Sequence, residues 1–154
     1  MQLPIWQPFI NEWYTFALFL LFIFILIGIS EFAQSILRWN PEFTRKLVHL
    51  FVGTIVSACP FIFKSNIPPI LLAGIFIFIN ALALKTDKFK GIHSTDRFSY
   101  GTVYFPIAFL ILALFWWEKP ITLILSMLIM TFSDTIAAVI GERTPQPRQF
   151  QIWE

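Results

Sequence analysis

The sequence predicts an all-α integral membrane protein, a polytopic bundle of about five membrane-spanning helices. The first reason is composition, because 57% of the residues are hydrophobic and only 13% are charged, whereas soluble domains carry about 25% charged residues. The second reason is that the apolar residues form blocks near the roughly 20 residues that a helix needs to cross a bilayer. Backbone groups in hydrocarbon must bond within their own segment, so each block is predicted to be a helix.

The predicted spans follow the apolar blocks in order, and most prolines lie at block ends or in connections, where a missing N–H costs least. Pro106 is the exception and is expected in the first turn of the fourth span. After the first span, "SEFAQSILRWN" repeats apolar residues at helical spacing, which indicates either an interfacial helix or an extension of the first span. A single membrane domain is predicted over 1–154, with spans at about 12–29, 47–63, 68–84, 103–117 and 120–141.

The distribution of Lys and Arg predicts the orientation of the bundle. Of the 11 basic residues, nine fall in the two long connections and the C-terminal tail, and only Lys64 and Lys119 fall on the opposite side. The positive-inside rule then places the N-terminus outside and the C-terminus in the cytoplasm. No basic residue precedes the first apolar run, so we expect the first helix to remain uncleaved.

Net charge and cysteine content exclude several classes of function. A formal charge of +2 is too small to indicate a nucleic-acid partner. The single cysteine, Cys59, and the two separated histidines lack the spacing of a zinc site. The sequence also lacks the phosphate-binding glycine motif, the dinucleotide fingerprint and the kinase catalytic loop of soluble enzymes. Any chemistry must therefore come from polar residues close to the membrane.

The first polar cluster is "RKLVHLFVG", where the second predicted span enters the membrane. Arg45, Lys46 and His49 fall within an arc of about 100° on a helix. Arginine offers a planar fork for phosphate oxygens and lysine a mobile point charge. Gly53, four residues after His49, leaves room for a close neighbour. The alternative is that the two cations only anchor the helix to lipid headgroups.

The second polar cluster is "STDRFSYGTVYFP", just before the fourth predicted span. Gly101 lets the backbone turn or approach a ligand closely, and the N–H groups at the start of the following helix attract anions. The alternative is an ordinary helix-capping loop, which uses the same residue types. His93, beside this cluster, is expected to be a solvated loop residue.

The third polar cluster is "TFSDTIAAVIGERT", in the fifth predicted span. Asp134 shares a helical stripe with Thr131, Ala138 and Gly141, so small residues flank the acid. Ionisable groups inside spans are costly and usually face a cavity or a partner. The alternative is a structural hydrogen bond or ion pair with another helix.

The predicted orientation puts all three clusters on the cytoplasmic side. Two helix ends and one loop would thus bring cations, a histidine, a carboxylate and glycines to one surface. Cations beside a carboxylate that can hold a divalent ion are what phosphoryl transfer needs, because such catalysis is mainly positioning and neutralisation of oxygen charge.

Taken in order, "RKLVH", "SYGTVYFP" and "SDTIAAVIGERT" resemble the polyprenol kinase family, which includes dolichol kinase, phytol kinase and CTP-dependent diacylglycerol kinase. The resemblance implies a membrane enzyme that phosphorylates a lipid alcohol with CTP and Mg²⁺ or another divalent cation. It implies catalytic roles for Asp134 and His49, with Asp134 also the metal ligand. The residues that it implies for nucleotide binding are Arg45, Lys46, Gly101, Thr102 and Gly141.

The resemblance weakens at the end of the sequence. In the family, the segment matching "GERTPQPRQFQIWE" leads into a Lys-Lys-Ser/Thr-x-Glu-Gly element and further helices. We therefore expect this chain to correspond to the N-terminal portion of a longer family domain; the alternative is a natural short form. Two other functions stay open: a cytidylyltransferase that makes a CDP-lipid from CTP and phosphatidate, and a non-catalytic membrane relative.

Overall fold

The computed structural model describes residues 11–86 and 101–144, and within these ranges every regular element is a helix. This confirms the predicted all-α class. The helices are α1 (Glu12–Ser35), α2 (Pro41–Ser57), α3 (Cys59–Ile62), α4 (Ile67–Thr86), α5 (Gly101–Phe115) and α6 (Pro120–Arg143).

Two of the described helices are long and apolar enough to cross a membrane, namely α1 over Glu12–Ser35 and α6 over Pro120–Gly141. The helices α4 and α5 contain shorter apolar stretches, Ile67–Leu82 and Gly101–Phe115. The stretch after the first predicted span continues α1 to Ser35. It is therefore an extension of that helix and not a separate interfacial one.

The second predicted span, 47–63, does not correspond to one continuous helix. The helix α2 begins earlier, at Pro41, where the Asn40 side chain accepts a hydrogen bond of 2.9 Å from the Glu42 N–H. It stops at Ser57, and the short α3 follows. Proline explains the break, because Pro60 has no N–H to donate four residues back and its ring collides with the preceding turn.

The predicted position of Pro106 in the first turn of its helix is wrong. Because α5 begins at Gly101, Pro106 lies inside the helix and not in its first turn. Its missing N–H would have bonded the Thr102 carbonyl oxygen. Instead, Nδ2 of Asn80 in α4 donates to that oxygen at 2.9 Å. An amide from the neighbouring helix thus satisfies the group that proline leaves unpaired.

The bundle has a core to which all six described helices contribute. In the core, Phe19 of α1 meets Phe63, which follows α3, with ring centroids 5.7 Å apart. Burying these side chains stabilises the arrangement in any surroundings, because dispersion contacts are gained whether the exterior is water or lipid. The buried core residues are Phe19, Ile23, Val56, Cys59, Phe63, Leu72, Ala73, Phe109, Leu123 and Met127.

One end of the bundle is held together by the carboxylate of Glu12 at the start of α1. Its Oε1 accepts hydrogen bonds from the backbone N–H groups of Lys64 at 2.6 Å and Ser65 at 3.0 Å. Its Oε2 accepts one from the Ser65 hydroxyl at 3.1 Å. At the same end, Nδ2 of Asn66 in the loop before α4 donates to the Ala113 carbonyl of α5 at 3.3 Å.

These contacts define the relative directions of the helices. The α1 residues Glu12 and Phe24 meet Ser65 and Phe76 in the same order, so α1 and α4 are parallel. Asn66 and Asn80 meet Ala113 and Thr102 in reverse order, so α4 and α5 are antiparallel. Side-chain contacts described below make α2 and α6 antiparallel as well. The start of α2, the start of α5 and the end of α6 consequently lie at the end of the bundle opposite Glu12.

Candidate functional site

The centre of the candidate site is a pair of side chains from two helices, His49 of α2 and Asp134 of α6. Nε2 of His49 lies 3.5 Å from Oδ2 of Asp134, and 23% and 73% of the respective side chains are exposed. That separation is long for a hydrogen bond, and among the described residues Nε2 of His49 has no hydrogen-bond partner. A charge attraction exists between the two groups when the imidazole is protonated. The acid in the fifth predicted span therefore faces another helix.

The imidazole of His49 is held against a third helix by an aromatic contact. Its ring lies edge-on to Phe105 of α5, with centroids 4.7 Å apart and planes 70° apart. Such edge-to-face geometry is favoured by the aromatic quadrupole. Three helices therefore meet at His49: its own, α5 through Phe105, and α6 through Asp134.

The close approach of α2 and α6 depends on Gly53. A β-carbon at this position would lie 2.6 Å from Cγ2 and 3.0 Å from Cβ of Thr131, well inside van der Waals contact. Thr131 is fully buried and its hydroxyl donates to the Met127 carbonyl at 2.8 Å. This confirms the expectation that Gly53 has a close neighbour. Since His49 and Asp134 lie about one turn from Gly53 and Thr131, this contact also sets their separation.

The two cations of the first cluster lie near the start of the same helix as His49. Arg45 precedes His49 by one turn, and both Arg45 and Lys46 are half-buried. His49 in turn lies 3.5 Å from the Asp134 carboxylate of α6. The first and third clusters are thus brought together.

The part of the second cluster that the structure describes is the start of α5. Gly101 is exposed, and the Thr102 hydroxyl is buried without a hydrogen-bond partner among the described residues. The same helix carries Phe105 one turn later, against His49. The start of α5 therefore lies close to the pair, while His93 and 94–100 lie outside the described residues.

Gly141 is the predicted site residue that is farthest from the His49–Asp134 pair on α6. It lies about 10 Å along the helix from Asp134. A β-carbon there would have no described atom within 4 Å, in contrast to Gly53. Within the part of the chain that the structure describes, Gly141 is not packed against the other candidate residues.

Sequence reasoning missed two residues that shape the site, Asn80 and Phe105. A signal existed for the first, because Pro106 inside a helix leaves the Thr102 carbonyl in need of an outside donor. Which side chain supplies that donor depends on the packing of α4 against α5. Nothing in the sequence distinguished Phe105 from the many other phenylalanines.

The donor set at the site suits a divalent cation that arrives with phosphate. The described residues contain no group of three or more His, Cys, Asp or Glu side chains placed to hold a metal ion. The exposed carboxylate of Asp134 is one oxygen donor. Mg²⁺ is commonly held by one or two carboxylates together with substrate phosphates and water. Asp134 is therefore better suited to a cation that is shared with substrate phosphate than to a cation bound by protein groups alone.

Comparison with known proteins finds a distant similarity in sequence. Over 136 residues the chain is 26% identical to a phytol kinase of Synechocystis sp.. The chain is a distant relative of the polyprenol kinases. The match includes 85% of this chain and 57% of the phytol kinase, so the chain spans little more than half the length of that relative.

This finding confirms the resemblance read from the three polar clusters. No family model matches the chain, and no solved structure matches it either. The relationship to the polyprenol kinases and the two long apolar helices agree on the broad conclusion, a membrane-protein relative of lipid kinases.

Proposed function

We propose that this protein is a membrane lipid-alcohol kinase that transfers a phosphoryl group from CTP to the hydroxyl of a polyprenol, phytol or diacylglycerol-like lipid. The observation that carries the proposal is the approach of His49 and Asp134, from two helices, to 3.5 Å. They meet at the middle of α2, about one turn after Arg45 and Lys46. A phytol kinase among the relatives supports the reaction class.

The two cations of α2 bind the phosphoryl donor, CTP. Arg45 and Lys46 bind the phosphates of CTP, the guanidinium as a planar fork and the ammonium as a point charge. The start of α5, with Gly101 and a Thr102 hydroxyl that has no hydrogen-bond partner among the described residues, supplies further donors to the same anion. The charge that develops on the transferred phosphoryl oxygens is thereby stabilised.

The acceptor hydroxyl is served by Asp134. The lipid oxygen attacks the terminal phosphorus of CTP, the bond to the β-phosphate oxygen breaks, and CDP leaves. Asp134 either accepts the hydroxyl proton or holds the divalent cation, which when bound neutralises phosphate charge. Nε2 of His49, which has no described hydrogen-bond partner, is available to position phosphate or to relay the proton.

The proposed orientation places this chemistry at the cytoplasmic boundary, with the N-terminus outside and the lipid tail among the helices. Parallel α1 and α4, with antiparallel α2–α6 and α4–α5 pairs, agree with alternate crossings of the membrane. The excess of Lys and Arg on one side supports the direction. Multi-pass membrane localisation follows from the same proposal.

A double-label experiment tests the proposal on the protein in membrane vesicles. CTP labelled at either the α- or the γ-phosphorus is supplied with Mg²⁺ and with a polyprenol, phytol, diacylglycerol or phosphatidate. We expect the γ-label alone to enter a lipid alcohol. Entry of the α-label into a lipid when phosphatidate is supplied would identify a cytidylyltransferase instead. Absence of label from every lipid, with an active phytol kinase as the assay control, would contradict both enzymes.

A further inference from the structure

We propose that Asn80 is a positioning residue, which replaces the backbone donor that Pro106 lacks and so fixes the first turn of α5. The inference rests on the proposed function, because the first turn of α5 carries Gly101 and Thr102 of the same site. It assigns to Asn80 a role that acts through α5 and not through contact with substrate.

The first step is the chemistry of proline inside a helix. A residue at position 106 would normally donate its N–H to the carbonyl of Thr102, and Pro106 cannot. An unpaired carbonyl in an apolar helix is unfavourable, and helices kink or unwind where the ladder is interrupted. Nδ2 of Asn80 donates to the Thr102 carbonyl at 2.9 Å, which is an ordinary hydrogen-bond length. The interrupted ladder is thus completed from α4.

The second step is what this bond holds in place. The Thr102 hydroxyl is buried and has no hydrogen-bond partner among the described residues. One turn later, Phe105 packs against the His49 ring. A shift of the first turn of α5 would therefore move this buried hydroxyl and also loosen the contact between Phe105 and His49.

The third step is a comparison within the same pair of helices. Asn66, in the loop before α4, also donates its Nδ2 to a carbonyl of α5, that of Ala113 at 3.3 Å. The two asparagines thus make the same kind of bond at opposite ends of α4 and α5. Asn66 lies at the end that Glu12 holds together, whereas Asn80 lies at the end of the candidate site. If the role were only to tie α4 to α5, the two would be equivalent.

The experiment measures lipid phosphorylation and thermal stability for Asn80→Ala and for the matched control Asn66→Ala. We expect kcat/KM for CTP to fall about 10-fold in Asn80→Ala and to change less than about 2-fold in Asn66→Ala, at equal amounts of folded protein. Pro106→Ala restores a backbone donor, so in its presence Asn80→Ala is expected to cost less than about 3-fold.

A thermal double-mutant cycle separates this inference from the proposed function. Asn80→Ala is expected to lower the melting midpoint clearly in the Pro106 protein and much less in Pro106→Ala. Equal lowering in both would overturn the Asn80 assignment whatever the activity. Coupling with unchanged kcat/KM would also overturn it, since the role would be structural only. If the wild-type protein phosphorylates no lipid but Asn80→Ala and Pro106→Ala are still coupled in stability, the proposed function is wrong. The conclusion that Asn80 replaces the donor missing at Pro106 would then stand.

Discussion

Replacing Asp134 with asparagine is expected to abolish phosphoryl transfer from CTP to a lipid alcohol while the protein stays folded in the membrane. Asparagine keeps the shape of the side chain but removes its charge and its ability to accept a proton. A group in either proposed role of Asp134 contributes at least about 100-fold to the rate. Because 73% of the side chain is exposed, the exchange leaves no buried gap. The measurement is incorporation of the γ-label into lipid per unit of inserted protein.

The control for that change is Glu118→Gln, the same acid-to-amide exchange in the exposed connection before α6. It lies at the opposite end of α6 from the candidate site, so turnover is expected to be unchanged. Turnover in Asp134→Asn equal to that in Glu118→Gln would remove Asp134 from the catalytic machinery.

The second large effect is expected from Gly53→Ala, which should reduce both stability and turnover. The added methyl group would lie 2.6 Å from Cγ2 of Thr131, and Thr131 is fully buried. Overpacking of this kind costs about 1–3 kcal/mol. Relief requires α2 and α6 to move apart, which would separate His49 from Asp134. Melting in detergent and label transfer would measure the two consequences.

Two further variants test whether the contact with Thr131 causes the loss of stability in Gly53→Ala. Gly74→Ala places the same methyl group on α4, where no described atom lies within 4 Å, so stability should be unchanged or higher by up to about 1 kcal/mol. Thr131→Ala removes Oγ1 and Cγ2 from the contact, so it should restore part of the stability lost in Gly53→Ala. A loss in Gly74→Ala as large as that in Gly53→Ala would mean that the contact with Thr131 is not responsible.

The sequence predicted the class of fold and the polar groups of the site because both follow from the free-energy cost of placing polar groups in a membrane. Long apolar blocks can satisfy their backbones in lipid only as helices. A carboxylate inside such a block, like that of Asp134, is costly and therefore indicates a cavity or a partner. Because glycine has no side chain, Gly53 was also predicted to have a close neighbour. These conclusions need only composition and spacing.

What the sequence could not supply is which faces of different helices meet. The approach of His49 to Asp134, the contact of His49 with Phe105 and the bond from Asn80 to Thr102 all depend on helix rotation and pairing. The helix ends were missed for a different reason. Hydropathy marks the apolar part of a helix, whereas Asn40 and Pro41 start α2 earlier by capping, outside the apolar block.

An engineered metal bridge tests directly whether α2 and α6 bring positions 49 and 134 together. Asp134→His would place a second imidazole beside His49, and two adjacent imidazoles bind Zn²⁺. At Zn²⁺ about 100-fold above its Kd, binding adds about 2.7 kcal/mol. We predict a rise in the melting midpoint of about 5–11 °C, reversed by a chelator and absent when His49→Ala is combined with Asp134→His. An equal zinc response with and without His49 would mean that positions 49 and 134 do not lie side by side.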